Sequence, residues 1–281
     1  MVSNLPQREE YLRKKRRRRL VKYCIILLVV FSIIGLISYA SHRPQIRINK
    51  IELSGGVLVT QDDVDSTVRP LISGSYFLLF PKNNAFIYPK SFLEQYLKQK
   101  FQRIDTINIY LKGFKTMVVE ITERKPVATW CDTPPTNNAV GVINPNEHCY
   151  FMDSDSTIFA PAPQFSGDAY FKYYGIISTD SPIGKEYIAS TTEFSDISDF
   201  IASTKSLNLG PQYLLAEEDG QFNLIINGGG EIMFDTREPM TLAASNLVVL
   251  LRTPALATSS GVLPVDYIDL RYGNKLFYKL K

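Results

Sequence analysis

The sequence has two histidines, three cysteines and one tryptophan among 281 residues, and each scarcity closes off a class of chemistry. A histidine general base has only His42 and His148 to draw on, and His148 directly precedes Cys149. Neighbours on a strand point to opposite faces, so that adjacency is not a nucleophile–base arrangement. A zinc centre needs more ligands at suitable spacing than Cys131, His148 and Cys149 offer. The glycine cluster at 227–231, "NGGGE", lacks the lysine and the following helix of a phosphate loop and reads as a turn. The acidic groups Asp153/Asp155, Asp196/Asp199 and Glu217/Glu218/Asp219 could imitate a glycosidase carboxylate pair, but they read as solvated turns and helix faces. The stretch around Trp130 reads as core packing rather than a ligand platform. No catalytic residue, metal or cofactor is expected, and no internal repeat is evident.

What the chain does have is an uneven distribution of charge. The net charge is +3, yet nine of the 31 Lys and Arg residues lie between Arg8 and Lys22, opposed there only by Glu9 and Glu10. The remainder carries 22 basic and 26 acidic residues and is mildly acidic. Directly after the basic stretch, "YCIILLVVFSIIGLISYA" runs from Tyr23 to Ala40 without a charge. Helped by Leu20, Val21 and a snorkelling Lys22, it just spans a hydrocarbon core of ~30 Å at ~1.5 Å per residue. A cleaved signal peptide is the competing reading, with Ser38-Tyr39-Ala40 as a small-x-small site, but the run exceeds the ~7–15 residues of a signal-peptide core. The expectation is an uncleaved single-pass anchor, with residues 1–22 as a basic cytoplasmic tail, residues 23–40 as the transmembrane helix and the rest outside. The basic tail then sets orientation and meets anionic lipid, rather than nucleic acid, since no folded partner unit accompanies it.

Of the cysteines, Cys24 lies in the span. Cys131 and Cys149 flank "DTPPTNNAVGVINPNEH", and each sits beside strand-like residues. An oxidising compartment permits a disulfide between them, and closing a loop of that size stabilises by ~3 kcal/mol in the chain-entropy model. The alternative is two unpaired thiols in a mobile loop.

Past a polar stalk at 41–45, "IRINKIELSG" reads as a strand ending in Gly55-Gly56. Thr60 and Asp63 form a weak capping box ahead of Val64, Val68 and Leu71 at helical spacing. A connector follows, with turn signals at Pro81 and Asn83-Asn84. A second helix begins near Pro89, with Phe92, Leu93, Tyr96 and Leu97 on one face. Ile107, Ile109 and Leu111, then Met117, Val119 and Ile121, alternate as two strands about Gly113. This strand–helix–helix–strand–strand order over 46–123 suffices for a small α+β domain. A second unit over 125–281 opens at "ERKPVATWC". Strands are expected at 127–131, 149–153, 157–160, 213–217, 222–226 and 231–235, with an Asp219-Gly220 hairpin turn. Helices are expected where Phe194, Ile197, Phe200 and Ile201 recur at helical spacing and after Pro239. The stretch 162–190 shows no clear period. The sequence closes on "YIDLRYGNKLFYKLK", where Ile268, Leu270 and Tyr272, then Leu276 and Tyr278, alternate about a Gly-Asn pair.

Three stretches carry a resemblance: "ERKPVATW" at the domain junction, "CYFMDSDSTIF" after it, and, most specific, "VDYIDLRYGNKLFYKL". In these and in its segment order the chain resembles the bacterial cell-division family FtsQ, called DivIB in many Gram-positive bacteria, over nearly its whole length. It departs from the family's pattern at Leu53-Ser54-Gly55-Gly56 and in the long cysteine-flanked insert. The resemblance implies a POTRA domain (β-α-α-β-β) followed by a mixed β-sheet domain with helices on one face. It also implies a non-enzymatic scaffold of the septum that binds FtsB-like and FtsL-like bitopic division proteins and recruits or regulates septal peptidoglycan synthesis. The POTRA domain would contact other division proteins. Rival readings are a membrane-anchored cell-wall enzyme and a POTRA-containing export or assembly factor.

An edge strand presents unpaired N–H and C=O groups that a partner strand can satisfy. The expected docking edge is Tyr272 with Lys275, Leu276, Phe277 and Tyr278, packed over Ile268 and Leu270. Tyr272 and Phe277 serve as anchors. Asp269 and Arg271, flanking Leu270 on the opposite face, could pair with each other's neighbours or with the partner; an exposed ion pair is worth little, so they are assigned register and orientation rather than affinity.

Overall fold

The computed structural model describes residues 5–135, 147–165, 169–175, 177, 181–217, 220–256 and 262–281. Glu218, Asp219 of the expected Asp219-Gly220 turn and residues 136–146 of the cysteine-flanked insert lie outside the described residues. The chain divides into two compact units, one of residues 1–100 and 106–122, the other of residues 101–105 and 123–281.

The first unit begins with α1 (Leu5–Ser41), a single helix of 37 residues. It takes in the basic stretch as well as the apolar run, because Lys, Arg and Leu are good helix formers and no Pro or Gly separates the two. Over Tyr11–Ser41 it is long and apolar enough to cross a membrane, a criterion that a signal sequence also meets. Then come β1 (Lys50–Ser54), α2 (Gln61–Ile72), a short hairpin β2 (Ser75–Tyr76) and β3 (Phe80–Pro81), α3 (Lys90–Lys100), β4 (Ile104–Lys112) and β5 (Thr116–Glu123). The sheet order is β1-β5-β4, with β1 parallel to β5.

Local sequence explains these elements. Thr60 caps α2 as expected: its hydroxyl accepts from Asp63 N–H at 3.2 Å, while the Asp63 carboxylate accepts from Thr60 N–H at 3.0 Å. The buried stripe of α2 runs through Val64, Val68 and Ile72, with Leu71 only half-buried. On α3, Leu93 and Leu97 are fully buried, but Phe92 and Tyr96 are exposed and lie against each other. They sit one residue, ~100° of helix, around from the leucines, so the expected four-residue face narrows to two. Gly55 turns the chain after β1 with a φ of +85°, and a Cβ there would meet the Ile121 carbonyl oxygen at 2.1 Å. Only glycine fits.

The second unit is built on nine strands: β6 (Ala128–Cys131), β7 (Cys149–Met152), β8 (Ile158–Pro161), β9 (Phe171–Tyr174), β10 (Pro211–Ala216), β11 (Gln221–Ile226), β12 (Glu231–Asp235), β13 (Val265–Tyr272) and β14 (Lys275–Leu280). Their order across the sheet is β14-β13-β12-β11-β10-β9-β6-β7-β8. Strand β9 falls in the stretch where no period was legible.

Three pairs are parallel, β6/β9, β9/β10 and β12/β13. Parallel neighbours need crossovers, and α4 (Thr191–Ser206) and α5 (Met240–Leu251) supply those of the last two. Strands β10, β11 and β12 are successively antiparallel, so both crossovers start from strands of the same orientation and step across the sheet in the same sense. One handedness therefore puts both helices on one face, where they pack together. Phe194, Ile197 and Phe200 from α4 and Leu247 from α5 meet Leu214, Leu224, Phe234 and Ile268 from the sheet in one core.

Candidate functional site

Strand β14 is bonded to β13 on one side, and among the described residues no strand pairs with its other side. The hairpin turn uses Gly273 at a φ of +60°, and Asn246 on α5 clamps it by donating from Nδ2 to the Gly273 carbonyl at 2.7 Å. Ile268 faces Tyr278 and Asp269 faces Phe277, but Tyr272 faces Lys275. Three steps along β13 thus match two along β14. This bulge rotates the extra residue's successors to the other face.

The bulge corrects one expectation. Ile268 and Leu270 are buried in the core as expected, but Tyr272 does not continue their face. It stands on the face of Asp269 and Phe277, where its ring meets that of Phe277 edge to face at 5.4 Å. Tyr272 and Phe277 are 58% and 51% exposed, and Tyr278 38%. Lys275 is exposed, while Leu276 is half-buried against the core. Leu280, unsingled in the sequence although it continues the alternation, is also exposed. The strand therefore shows apolar area on both faces beside a row of amides that no described strand pairs.

A second correction concerns Asp269 and Arg271. They form no exposed surface pair: Asp269 is only 6% exposed. Met233 and Phe277 stand beside it in register on the neighbouring strands. Arg271 closes a fork on it, Nε to Oδ1 at 2.8 Å and Nη2 to Oδ2 at 2.6 Å, and its backbone N–H adds a third bond at 3.1 Å. Arg271 Nη1 also donates to Gln221 Oε1 at 2.5 Å, tying β13 to β11. Burial opposes ionisation of Asp269, but the Arg271 side chain and backbone outweigh it and hold the carboxyl below the usual carboxylate range. Two-point guanidinium–carboxylate geometry fixes orientation as well as charge, so this pair stiffens the strand that carries the edge. At the other end of the hairpin Lys279 Nζ meets the Asp266 carboxylate at 2.8 Å.

The opposite edge of the sheet, β8, is occupied. Ile158 N–H donates to the Lys185 carbonyl at 2.8 Å, Gly184 N–H donates to the Ile158 carbonyl at 2.7 Å, and Thr157 bridges Glu186. A segment around 184–186 thus does for β8 what nothing described does for β14.

The residues weighed for chemistry are committed elsewhere. Cys131 and Cys149 stand opposite each other on β6 and β7 and form a disulfide. With Glu147 they make a compact donor set, but bonded sulfurs are not thiolate ligands. The Glu147 carboxylate is engaged by the Tyr174 hydroxyl and by Lys172 Nζ at 2.8 Å. Burial and then Glu147 push the Tyr174 phenol far above its ordinary pKa, so it remains a donor. His148 Nδ1 lies 3.1 Å from Asp132 Oδ2. Asp153 pairs with Arg124 and accepts from the Asp155 and Thr157 N–H groups, joining the "ERKPVATW" and "CYFMDSDSTIF" stretches. Asp196 and Asp199 lie on the exposed face of α4. Trp130 is core, as expected.

No protein-family model matches the chain, and no curated protein matches it.

Proposed function

We propose that this chain is a membrane-anchored, non-enzymatic adaptor of bacterial cell division, of the kind the FtsQ/DivIB resemblance implies. The observation that carries the reading is the β14 edge, which no described strand pairs on its outer side, flanked by Tyr272, Phe277 and Tyr278 and seated on β13, where Arg271 forks onto Asp269. In this reading α1 holds the chain in the cytoplasmic membrane with its basic segment inside, by the positive-inside rule, and the residues after α1 lie outside at the division septum. The bonded Cys131 and Cys149 accord with an oxidising exterior.

After α1 the first unit keeps a β-α-α-β-β order once the short β2–β3 hairpin between its helices is set aside; in this reading that part is a POTRA domain that contacts other division proteins. The second takes up an extended segment of an FtsB-like or FtsL-like bitopic protein as a tenth strand beside β14. Main-chain bonds supply affinity, and pockets beside alternate side chains supply selectivity. The exposed Lys275 favours a segment with acidic side chains.

Capture of the FtsB-like and FtsL-like proteins by the full chain tests this. The double variant Tyr272→Ala/Phe277→Ala is expected to weaken capture at least ~10-fold, since central aromatic anchors often cost ≥ 2 kcal/mol when truncated. Undiminished capture contradicts the proposal. Turnover of peptidoglycan by the purified chain would instead favour a cell-wall enzyme.

A further inference from the structure

The first unit carries an apolar feature that the adaptor reading does not use. At the tip of the β2–β3 hairpin, Phe77 and Leu78 are 90% and 93% exposed. Both have positive φ, 50° and 63°, and Leu79 N–H closes the turn on the Tyr76 carbonyl at 3.0 Å. Such mirror-image turns favour Asn-Gly, and side chains with a Cβ adopt them at a cost. In water, Asn-Gly would make the same turn without strain and without bare apolar surface. Here the sequence places two bulky apolar side chains, Phe77 and Leu78, at the two strained positions.

The neighbourhood says what covers them. Ser38, three residues before the end of α1, donates from Oγ to the Leu79 carbonyl at 2.7 Å. The tip is therefore docked on the last turn of the apolar helix. Buried Asn84 fixes that junction, donating from Nδ2 to Ser41 Oγ at 2.8 Å and to the Ser41 carbonyl at 3.1 Å. Phe86 N–H is held by the same Asn84 side chain, and the exposed Phe86 ring meets exposed Phe114 at 5.5 Å.

Basic and aromatic groups surround the junction. The Arg43 guanidinium lies over the Tyr39 ring at 4.7 Å, and Lys82 Nζ lies over Tyr76 at 5.7 Å. Exposed Arg47 donates from Nε to Asn83 Oδ1 at 3.2 Å, one residue from Asn84. An apolar tip ringed by Tyr, Lys and Arg is the composition of a membrane–water interface.

We infer that the β2–β3 hairpin is a lipid-contacting foot. Phe77 and Leu78 enter the headgroup–acyl boundary of the outer leaflet beside α1, with Phe86 and Phe114 resting on the surface and the cations on anionic headgroups. The inference rests on the anchor reading of α1. The foot fixes the height and tilt of the first unit above the bilayer.

The full chain, reconstituted in vesicles of phosphatidylglycerol and phosphatidylethanolamine, tests it. In a Cys24→Ser background, single cysteines at Leu78→Cys, Val30→Cys and Lys98→Cys are labelled with an environment-sensitive dye. Lipids carrying nitroxides at shallow or deep acyl positions serve as quenchers. The Leu78 dye should shift to the blue and lose most fluorescence to the shallow quencher, the Val30 dye to the deep one, and the Lys98 dye to neither. A Leu78 dye as unquenched as that at Lys98, with Val30 quenched, overturns the foot and leaves the anchor standing. A Leu78 dye shielded from aqueous iodide but unquenched by lipid points to a protein on the tip, and overturns it too. An unquenched Val30 dye overturns the anchor reading and the foot with it.

Discussion

Strands β8 and β14 bound the same nine-stranded sheet, and their side chains and backbones are treated in opposite ways. On β8, Ile158, Phe159 and Ala160 are all at most 2% exposed, Pro161 ends the strand, and the segment at 184–186 takes up the N–H and C=O of Ile158. On β14 six residues run without a proline, none is fully buried, and the outer groups meet no described strand. Natural sheets blunt their edges, because an open one is a template for association. One edge here is blunted by the protein's own chain. The other carries Lys275 and Lys279 on the face it shares with Phe277, and no described strand covers it. The difference is that the protein's own chain meets the β8 edge, whereas among the described residues nothing does so at β14, which is why the proposal places recognition there.

The contrast breaks most easily at its stable end. Ile158→Ala leaves a cavity under the capped edge and should cost about 2–5 kcal/mol, read by chemical denaturation of the full chain. A loss below 1 kcal/mol would put β8 outside the core. Removing the disulfide with Cys131→Ser/Cys149→Ser should cost about 3 kcal/mol in the same experiment, with partner capture retained once the chain is folded.

Asp269 sits between the two regimes. Asp269→Asn leaves Arg271 without its fork and should cost about 1–3 kcal/mol at neutral pH. The folded carboxyl titrates below its unfolded value of ~3.9. Its stabilisation is therefore fully present above about pH 4 and is lost as pH falls through the lower folded value. The gap between wild type and Asp269→Asn should close on acidification, and a gap constant down to about pH 2 would contradict the pairing. Smallest in stability are Tyr272→Ala and Phe277→Ala, within about 0.5 kcal/mol each, although they carry the expected loss of capture. A large thermal destabilisation would make them structural residues instead.

Local signals in the sequence reached most elements of both units. Thr60 and Asp63 announced α2, the alternation of Met117, Val119 and Ile121 announced β5, and the Gly-Asn pair announced the last hairpin. These depend on residues a few positions apart. What stayed illegible depends on distant chain. The cap on β8 brings residue 184 to residue 158. The burial of Asp269 comes from Met233 and Phe277, and the bulge that turns Tyr272 over is a mismatch between two strands, each of which alternates correctly alone. Strand β9, Phe171-Lys172-Tyr173-Tyr174, has three aromatic residues of four and does not alternate cleanly, so no period shows. The candidate edge itself was legible as an alternating strand, but which of its faces is free required its partner strand.

Amide hydrogen exchange along residues 275–280, in the full chain with and without a bound FtsB-like or FtsL-like protein, tests the central claim most directly. Alternate β14 amides, those pointing away from β13, should gain strong protection on binding while the amides of β8 stay unchanged. Tight binding that leaves every β14 amide exchanging at its free rate would contradict strand addition at this edge.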